Sequence, residues 1–167
     1  MTKFEMIKVR DVKSPERNVK ENAGIDFYIP NKSAFTEDEL KNFGPDIVIY
    51  NNSIHIPPHK DIKIPSGIKS KFNNNIALVA FNKSGIATKK KLIVGAEVID
   101  SAYQGEWHFH LINTSDEIQI IEFGQKIVQF IPIVIDTSEV SISDKNETDF
   151  FTEATSRGSG GFGSTGI

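Results

Sequence analysis

The sequence predicts an all-β domain, a sandwich or barrel of short strands, and three observations predict it. Apolar residues alternate with polar ones or gather in short β-branched and aromatic runs. Turn residues recur between those runs at the spacing that joins short strands. Only one segment carries a full helix-start signal.

The elements follow in order. Ile54 and Ile56 alternate with polar neighbours, as do Ile62 and Ile64. The runs at 76–81 (IALVAF), 91–100 (KLIVGAEVID), 106–112 (EWHFHLI), 117–121 (EIQII) and 126–135 (KIVQFIPIVI) are rich in strand-forming residues. Turns are expected at 57–59 (PPH), 65–67 (PSG), 73–75 (NNN), 103–105 (YQG) and 115–117 (SDE). Thr36-Glu37-Asp38-Glu39 has the form of a capping box, with Leu40 and Phe43 following, so one short helix is expected there. It lies in a segment, 31–52, expected to be a surface insertion. A second helical turn is expected from Ser84. Residues 136–156 read as a polar arm, which divides the chain into a β domain over 1–135 and a C-terminal arm over 136–167.

Composition excludes several classes of function. There is no cysteine among the 167 residues, which removes disulfides, thiolate zinc sites and cysteine nucleophiles. A net charge of −3 supplies no field that would favour nucleic acid. The start, MTKFEMIKVR, has no apolar h-region, and no apolar run is long enough to span a bilayer. A cytoplasmic soluble domain is expected, with no membrane and no nucleic-acid partner. Gly158 to Gly163 formally matches G-x-G-x-x-G, but only four residues follow, leaving no room for a dinucleotide-binding unit. His108 and His110 share a strand face and could ligate a metal, yet no third ligand stands near them in sequence. The triple lysine at 89–91 reads as a solvated face.

Five strings carry chemistry: NAGIDFYIP (22–30), NKSGIA (82–87), GAEVIDSAYQGEW (95–107), GQKIVQF (124–130) and RGSGGFGSTG (157–166). Ser84 and Gly85 open a short helix, where backbone N–H groups and a hydroxyl can meet an anion, and Lys83 adds a positive charge. Asp100 is a candidate base for activating water. The tail supplies Arg157, a glycine-rich backbone around Gly163, the donors Ser164 and Thr165, and Phe162 as a stacking face. Base, anion donors and aromatic lid together describe nucleotide phosphate hydrolysis.

In order, type and spacing these strings closely resemble the five signatures of the trimeric deoxyuridine triphosphatase (dUTPase) family, in its phage or low-GC bacterial form. The resemblance implies a β-barrel or jelly-roll-like fold with a mobile glycine-rich C-terminal arm, in a bacterial cell or a phage-infected host. It implies a homotrimer with shared sites, hydrolysing dUTP to dUMP and pyrophosphate with Mg²⁺ held chiefly by the triphosphate. The main chain of Val94, Val98, Ile99 and His108 would then read uracil from a hairpin formed by 91–100 and 105–113. Tyr103 would pack beneath deoxyribose and exclude a 2′-hydroxyl. Lys83, Ser84, Gln129 and Arg157 would stabilise phosphate charge, and Asp26 would be linked to metal-bound waters or to the subunit contact. One departure is that Asn82-Lys83 stands where the family has Pro-Arg, and lysine lacks the planar fork of arginine. The alternatives are a nucleotide-gated regulator built on this fold, whose partner would meet the 31–52 segment, and dCTP deaminase. The deaminase's catalytic Glu would fall at His110.

Overall fold

Strand-forming runs become strands here because alternate side chains can be buried on one side of a sheet. The computed structural model describes residues 4–155. Twelve strands lie among the described residues. The first six are β1 (Glu5–Lys8), β2 (Ile25–Tyr28), β3 (Val48–Tyr50), β4 (Ser53–Ile56), β5 (Asp61–Pro65) and β6 (Ile68–Lys71). They continue with β7 (Ile76–Asn82), β8 (Leu92–Val94), β9 (Val98–Ile99), β10 (His108–Asn113), β11 (Gln119–Glu122) and β12 (Lys126–Val134). All paired strands run antiparallel, in four sheets ordered β1-β6, β5-β10-β8, β11-β4-β3 and β2-β12-β7-β9.

The sheets share one core. Phe27, Trp107 and Phe130 meet with ring centroids 5.0–5.4 Å apart, and Phe109 closes the cluster. Their tilted and edge-on arrangements suit the quadrupoles of the rings. Ile54, Ile56, Ile62, Ile64, Leu78 and Leu111 pack around them, all buried. The alternation at 54–56 and 62–64 therefore marks the inward faces of β4 and β5.

Three α-helices and one 3-10 turn (Lys32–Ala34) accompany the strands among the described residues. The first, α1 (Glu37–Lys41), begins with the expected capping box: Thr36 Oγ1 accepts from the Glu39 N–H, and the Glu39 carboxylate accepts from the Thr36 N–H. The second, α2 (Ser84–Lys90), starts at Ser84 and stops at Lys91, which adopts the left-handed conformation. The third, α3 (Glu147–Phe150), is a single turn capped by Asn146 in the arm expected to lack packed structure. The chain divides into a unit over Met1–Thr137 and another over Ser138–Ile167.

Two expectations change. The 31–52 segment is rooted in the domain and not merely laid on its surface. Phe35, Leu40 and Phe43 are buried in the same core cluster, and Phe35 packs 5.3 Å from Phe43 and 5.7 Å from Phe123. The run 91–100 is not one strand but two, parted at Gly95, because β8 pairs with β10 while β9 pairs with β7.

Phe27 touches three other rings, so Phe27→Ala should cost about 3–5 kcal/mol of stability. The buried Trp107 Nε1 has no hydrogen-bond partner among the described residues, so Trp107→Phe forfeits packing alone. Urea titration of both variants should find Trp107→Phe much the milder.

Candidate active site

The parting at Gly95 builds the first half of the site. The ladder between β8 and β10 ends at Val94 opposite Leu111, with one further bond from the Gly95 N–H to the His110 carbonyl, 2.9 Å. Beyond it β9 leaves for β7, and an opening remains where a hairpin would have continued. A Cβ at Gly95 would collide with the His110 ring. That ring occupies the place of the missing strand pairing: its Nδ1 accepts from the Ala96 N–H, 2.9 Å, and its Nε2 lies 3.0 Å from Asp61. Because Nδ1 accepts, the proton sits on Nε2 and is donated to the carboxylate.

The opening is a cavity of about 230 Å³ lined by Ala96, Val98, Ile99, Asp100, Tyr103 and His108. Asp100 stands exposed where β9 ends, and its carbonyl accepts from the Tyr103 N–H, 3.1 Å, closing a tight turn. Tyr103 folds back over Gly105, where a Cβ would strike the phenol, and its hydroxyl donates to the Glu106 carbonyl, 2.9 Å. The same carbonyl accepts from His108 Nδ1, 3.0 Å. Burial holds the His108 imidazole below its ordinary range, so at neutral pH the ring is uncharged with its proton on Nδ1. One main-chain oxygen thus orients both ring side chains of the cavity.

The second half is charged. Gln129 lies opposite Asp26 on β2 and opposite Phe81 on β7, which places Asp26, Gln129 and the end of β7 side by side. Gln129 Nε2 donates to the Asn82 carbonyl, 2.9 Å. Lys83 is ion-paired with Asp26 Oδ1, and Lys126 with Asp26 Oδ2 at 2.9 Å. Lys126 also reaches Glu16, 3.2 Å, which accepts from Tyr28 and Lys13. Burial alone would push the Asp26 carboxyl up; hydrogen bonds from the two ammonium groups outweigh it and hold it below the usual range. Glu16 is held down to about 2 by Tyr28, Lys126 and Lys13.

The sequence-derived site residues therefore fall into two groups. Asp100, Tyr103, His108, Val98 and Ile99 meet at the cavity, and Lys83, Gln129 and Asp26 meet at the charged cluster, with Ser84 and Gly85 beginning α2 beside it. Val94 does not line the cavity: its side chain is buried in the core, and its N–H donates to Asn82 Oδ1, 2.7 Å, so that one donor is already engaged within the chain. Arg157, Phe162, Gly163, Ser164 and Thr165 lie outside the described residues. Sequence reading missed Glu106, although it stands inside the GEWHFHL run, and it missed Lys126; it named Asn82 only as a departure from the family's pattern. His110 gives no support to a deaminase, since an imidazole tied to Ala96 and Asp61 occupies the place of that enzyme's acid.

Known proteins point the same way. A family model described as dUTPase matches residues 33–166. The deoxyuridine 5′-triphosphate nucleotidohydrolase of Desulfitobacterium hafniense is 32% identical over 120 residues, covering 70% of this chain and 76% of that one. Its counterpart in Paramecium bursaria Chlorella virus 1 is 38% identical over 112 residues, covering 67% and 75%. The dUTPase of Staphylococcus bacteriophage 80alpha, solved with dUPNHPP, superposes with a TM-score of 0.75 at 19% identity over 99% of both chains. The dUTPase of phage phi11 of S. aureus, whose structure contains a structural Mg(II) ion, superposes with a TM-score of 0.65 at 17% identity, over 87% of this chain and 99% of that one. At these identities the two superpositions speak for the fold, while the family model and the curated relatives carry the descent. The chain belongs to the dUTPase family.

Proposed function

We propose that the protein hydrolyses dUTP to dUMP and pyrophosphate by attack of water on the α-phosphorus. The carrying observation is the cavity opened at Gly95, with an exposed carboxylate at its rim and an oriented tyrosine against its wall. A pyrimidine placed between the parted strands would take up main-chain groups of β9 and of His108 in place of the lost ladder. Tyr103, fixed by the Glu106 carbonyl, would lie under the sugar and leave no room for a 2′-hydroxyl. Asp100 would orient water and accept its proton. Lys83, Ser84, Gly85 and Gln129 would meet the phosphates, and Arg157, Phe162, Gly163, Ser164 and Thr165 would close over the nucleotide. Such donors stabilise the charge that develops on the phosphoryl oxygens.

The residues fit Mg²⁺ carried on the triphosphate. Among the described residues no group of three histidine or acidic side chains could hold a metal, and Asp26 is already shared by two ammonium groups. Asp26 would reach such an ion through water. When bound, the ion neutralises charge along the phosphates.

The two halves of the site belong to different copies of the chain in this reading. The Leu78–Ile99 pairing puts Asp100 level with Ala77, six residues before Lys83. That is about 20 Å along β7 at ~3.3 Å per residue, too far for one triphosphate to bridge within a chain. The outer face of the same sheet carries Phe81, Val98 and Ile133, exposed by 40%, 59% and 37%, an apolar surface suited to another copy. The separation and the apolar face both support reading the assembly as a homotrimer with shared sites, which we place in the cytoplasm as part of the same proposal.

Asp100→Asn should keep fold and nucleotide binding and lower kcat by about 10²–10⁴-fold, measured by pyrophosphate release. Mixing refolded Asp100→Asn and Lys83→Ala proteins, each inactive, should restore part of the activity, because some mixed sites would contain both native residues. No recovery, together with light scattering at the 18.6 kDa mass of one chain, would overturn shared sites. Asp26→Asn should lower stability by about 1.5–3 kcal/mol at pH 7, leaving two lysines without their shared anion. The depressed carboxyl contributes fully above its ordinary value of 3.8, and its contribution fades as pH falls through the lower folded value. Urea midpoints across pH 2–7 should therefore show wild type and variant converging below about pH 3.8.

A further inference from the structure

The 31–52 segment reaches the nucleoside side of the cavity through one side chain, Arg10. Its Nε donates to Glu106 Oε1, 2.7 Å, and one terminal nitrogen donates to Glu106 Oε2, 3.1 Å. That nitrogen also donates to Glu39 Oε1 on α1, 2.7 Å, and the other terminal nitrogen donates to the Ala34 carbonyl, 2.9 Å. The guanidinium stands 5.1 Å from the centre of the Phe35 ring. Its side chain is only 17% exposed, so these bonds form largely out of water. Glu106 is fixed from a third direction by the Gly67 N–H, 2.7 Å from Oε1. Glu39 is fixed in turn by the capping box of α1.

Glu106 has two ends with different tasks. Its carboxylate is gripped by Arg10 and Gly67, and its carbonyl holds Tyr103 and His108. The peptide that bears this carbonyl is held at its far end by the Trp107 N–H, which donates to the Ile68 carbonyl, 3.0 Å, and at its near end by the gripped Glu106 side chain. Releasing the carboxylate would loosen the near end and with it the common acceptor of the two ring side chains. Neither Arg10 nor Glu39 lines the cavity.

We propose that Arg10, bridging Glu39 of the 31–52 segment to Glu106, is a positioning residue that sets the sugar and base selectivity of the cavity. The proposal rests on the reading of Tyr103 and His108 as the nucleoside side of the site. It gives the 31–52 segment work that needs no outside partner: α1 anchors the guanidinium, and the guanidinium fixes the selectivity loop. A lysine at position 10 would keep the charge but could not fork to both carboxylates.

The test compares kcat and KM for dUTP and UTP in Arg10→Lys, Glu39→Gln and Tyr103→Ala, with melting followed by circular dichroism. Arg10→Lys should remain folded, keep kcat for dUTP within a factor of about two, and narrow the dUTP-over-UTP ratio of kcat/KM by about 2- to 30-fold, mainly through KM. Glu39→Gln preserves a capping-box partner and removes the charge that Arg10 reads, so it should shift the ratio in the same direction by less. It also carries the test should Arg10→Lys fail to fold. A folded variant with unchanged KM and unchanged selectivity would overturn the proposal, as would a loss confined to kcat. Tyr103→Ala separates the two levels of inference. If it relaxes selectivity while Arg10→Lys and Glu39→Gln do not, the relay is wrong and the site stands. If it leaves selectivity unchanged, the nucleoside reading itself falls and the relay with it.

Discussion

The parting of β8 and β9 is the constraint from which the site follows. A continuous hairpin over 91–113 would satisfy its own backbone groups and leave no space between its arms. Gly95 permits the departure because a hydrogen is all that fits against His110, and His110 then serves the Ala96 N–H that would otherwise lose a strand partner. Asp61 on the neighbouring β5 fixes the tautomer that makes this possible. The cavity is thus a place where sheet pairing has been withdrawn, with the loss made good by a side chain at one end and open at the other.

The charged cluster follows a different logic. Lys83, Lys126 and Asp26 are drawn together by three adjacent strands, and Glu16 with Tyr28 extends the network outward. Three cations, Lys13, Lys83 and Lys126, stand against the two carboxylates Asp26 and Glu16, so the cluster carries one net positive charge. Desolvation favours the neutral acid, yet the ammonium groups win, so the cluster keeps its ionised form across the physiological range. Lysine in place of the family's arginine suits this arrangement, since an ammonium can present one N–H to Asp26 and others elsewhere.

Much of this was legible in the sequence, and the reasons are local. The capping box at Thr36–Glu39, the helical turn from Ser84 and the alternations of β4 and β5 depend on neighbours a few residues away. Asp100, Tyr103 and His108 share one short stretch, and the turn it forms brings all three to one cavity. The breaking of 91–100 into two strands was not legible, because it depends on His110 and on β7, each supplied by another part of the chain. Arg10 was likewise hidden, since its carboxylate partners stand 29 and 96 residues away. The occupation of the Val94 N–H by Asn82 is a third such case. Periodicity reports which face is buried; it is silent about which distant group claims a given donor.

The glycines beside the site carry a consequence for how this protein tolerates change. At Gly95, Gly105 and Gly24 an added methyl would meet the working ends of His110, Tyr103 and Gln129 respectively. In each case the obstacle is the tip of a side chain and not the packed interior. An alanine there would push a functional group aside while the core around Phe27 and Trp107 remained intact. At Gly105 and Gly24 the change would therefore be one of side-chain placement and not of core packing, whereas at Gly95 the displaced imidazole would also leave the Ala96 N–H without its acceptor.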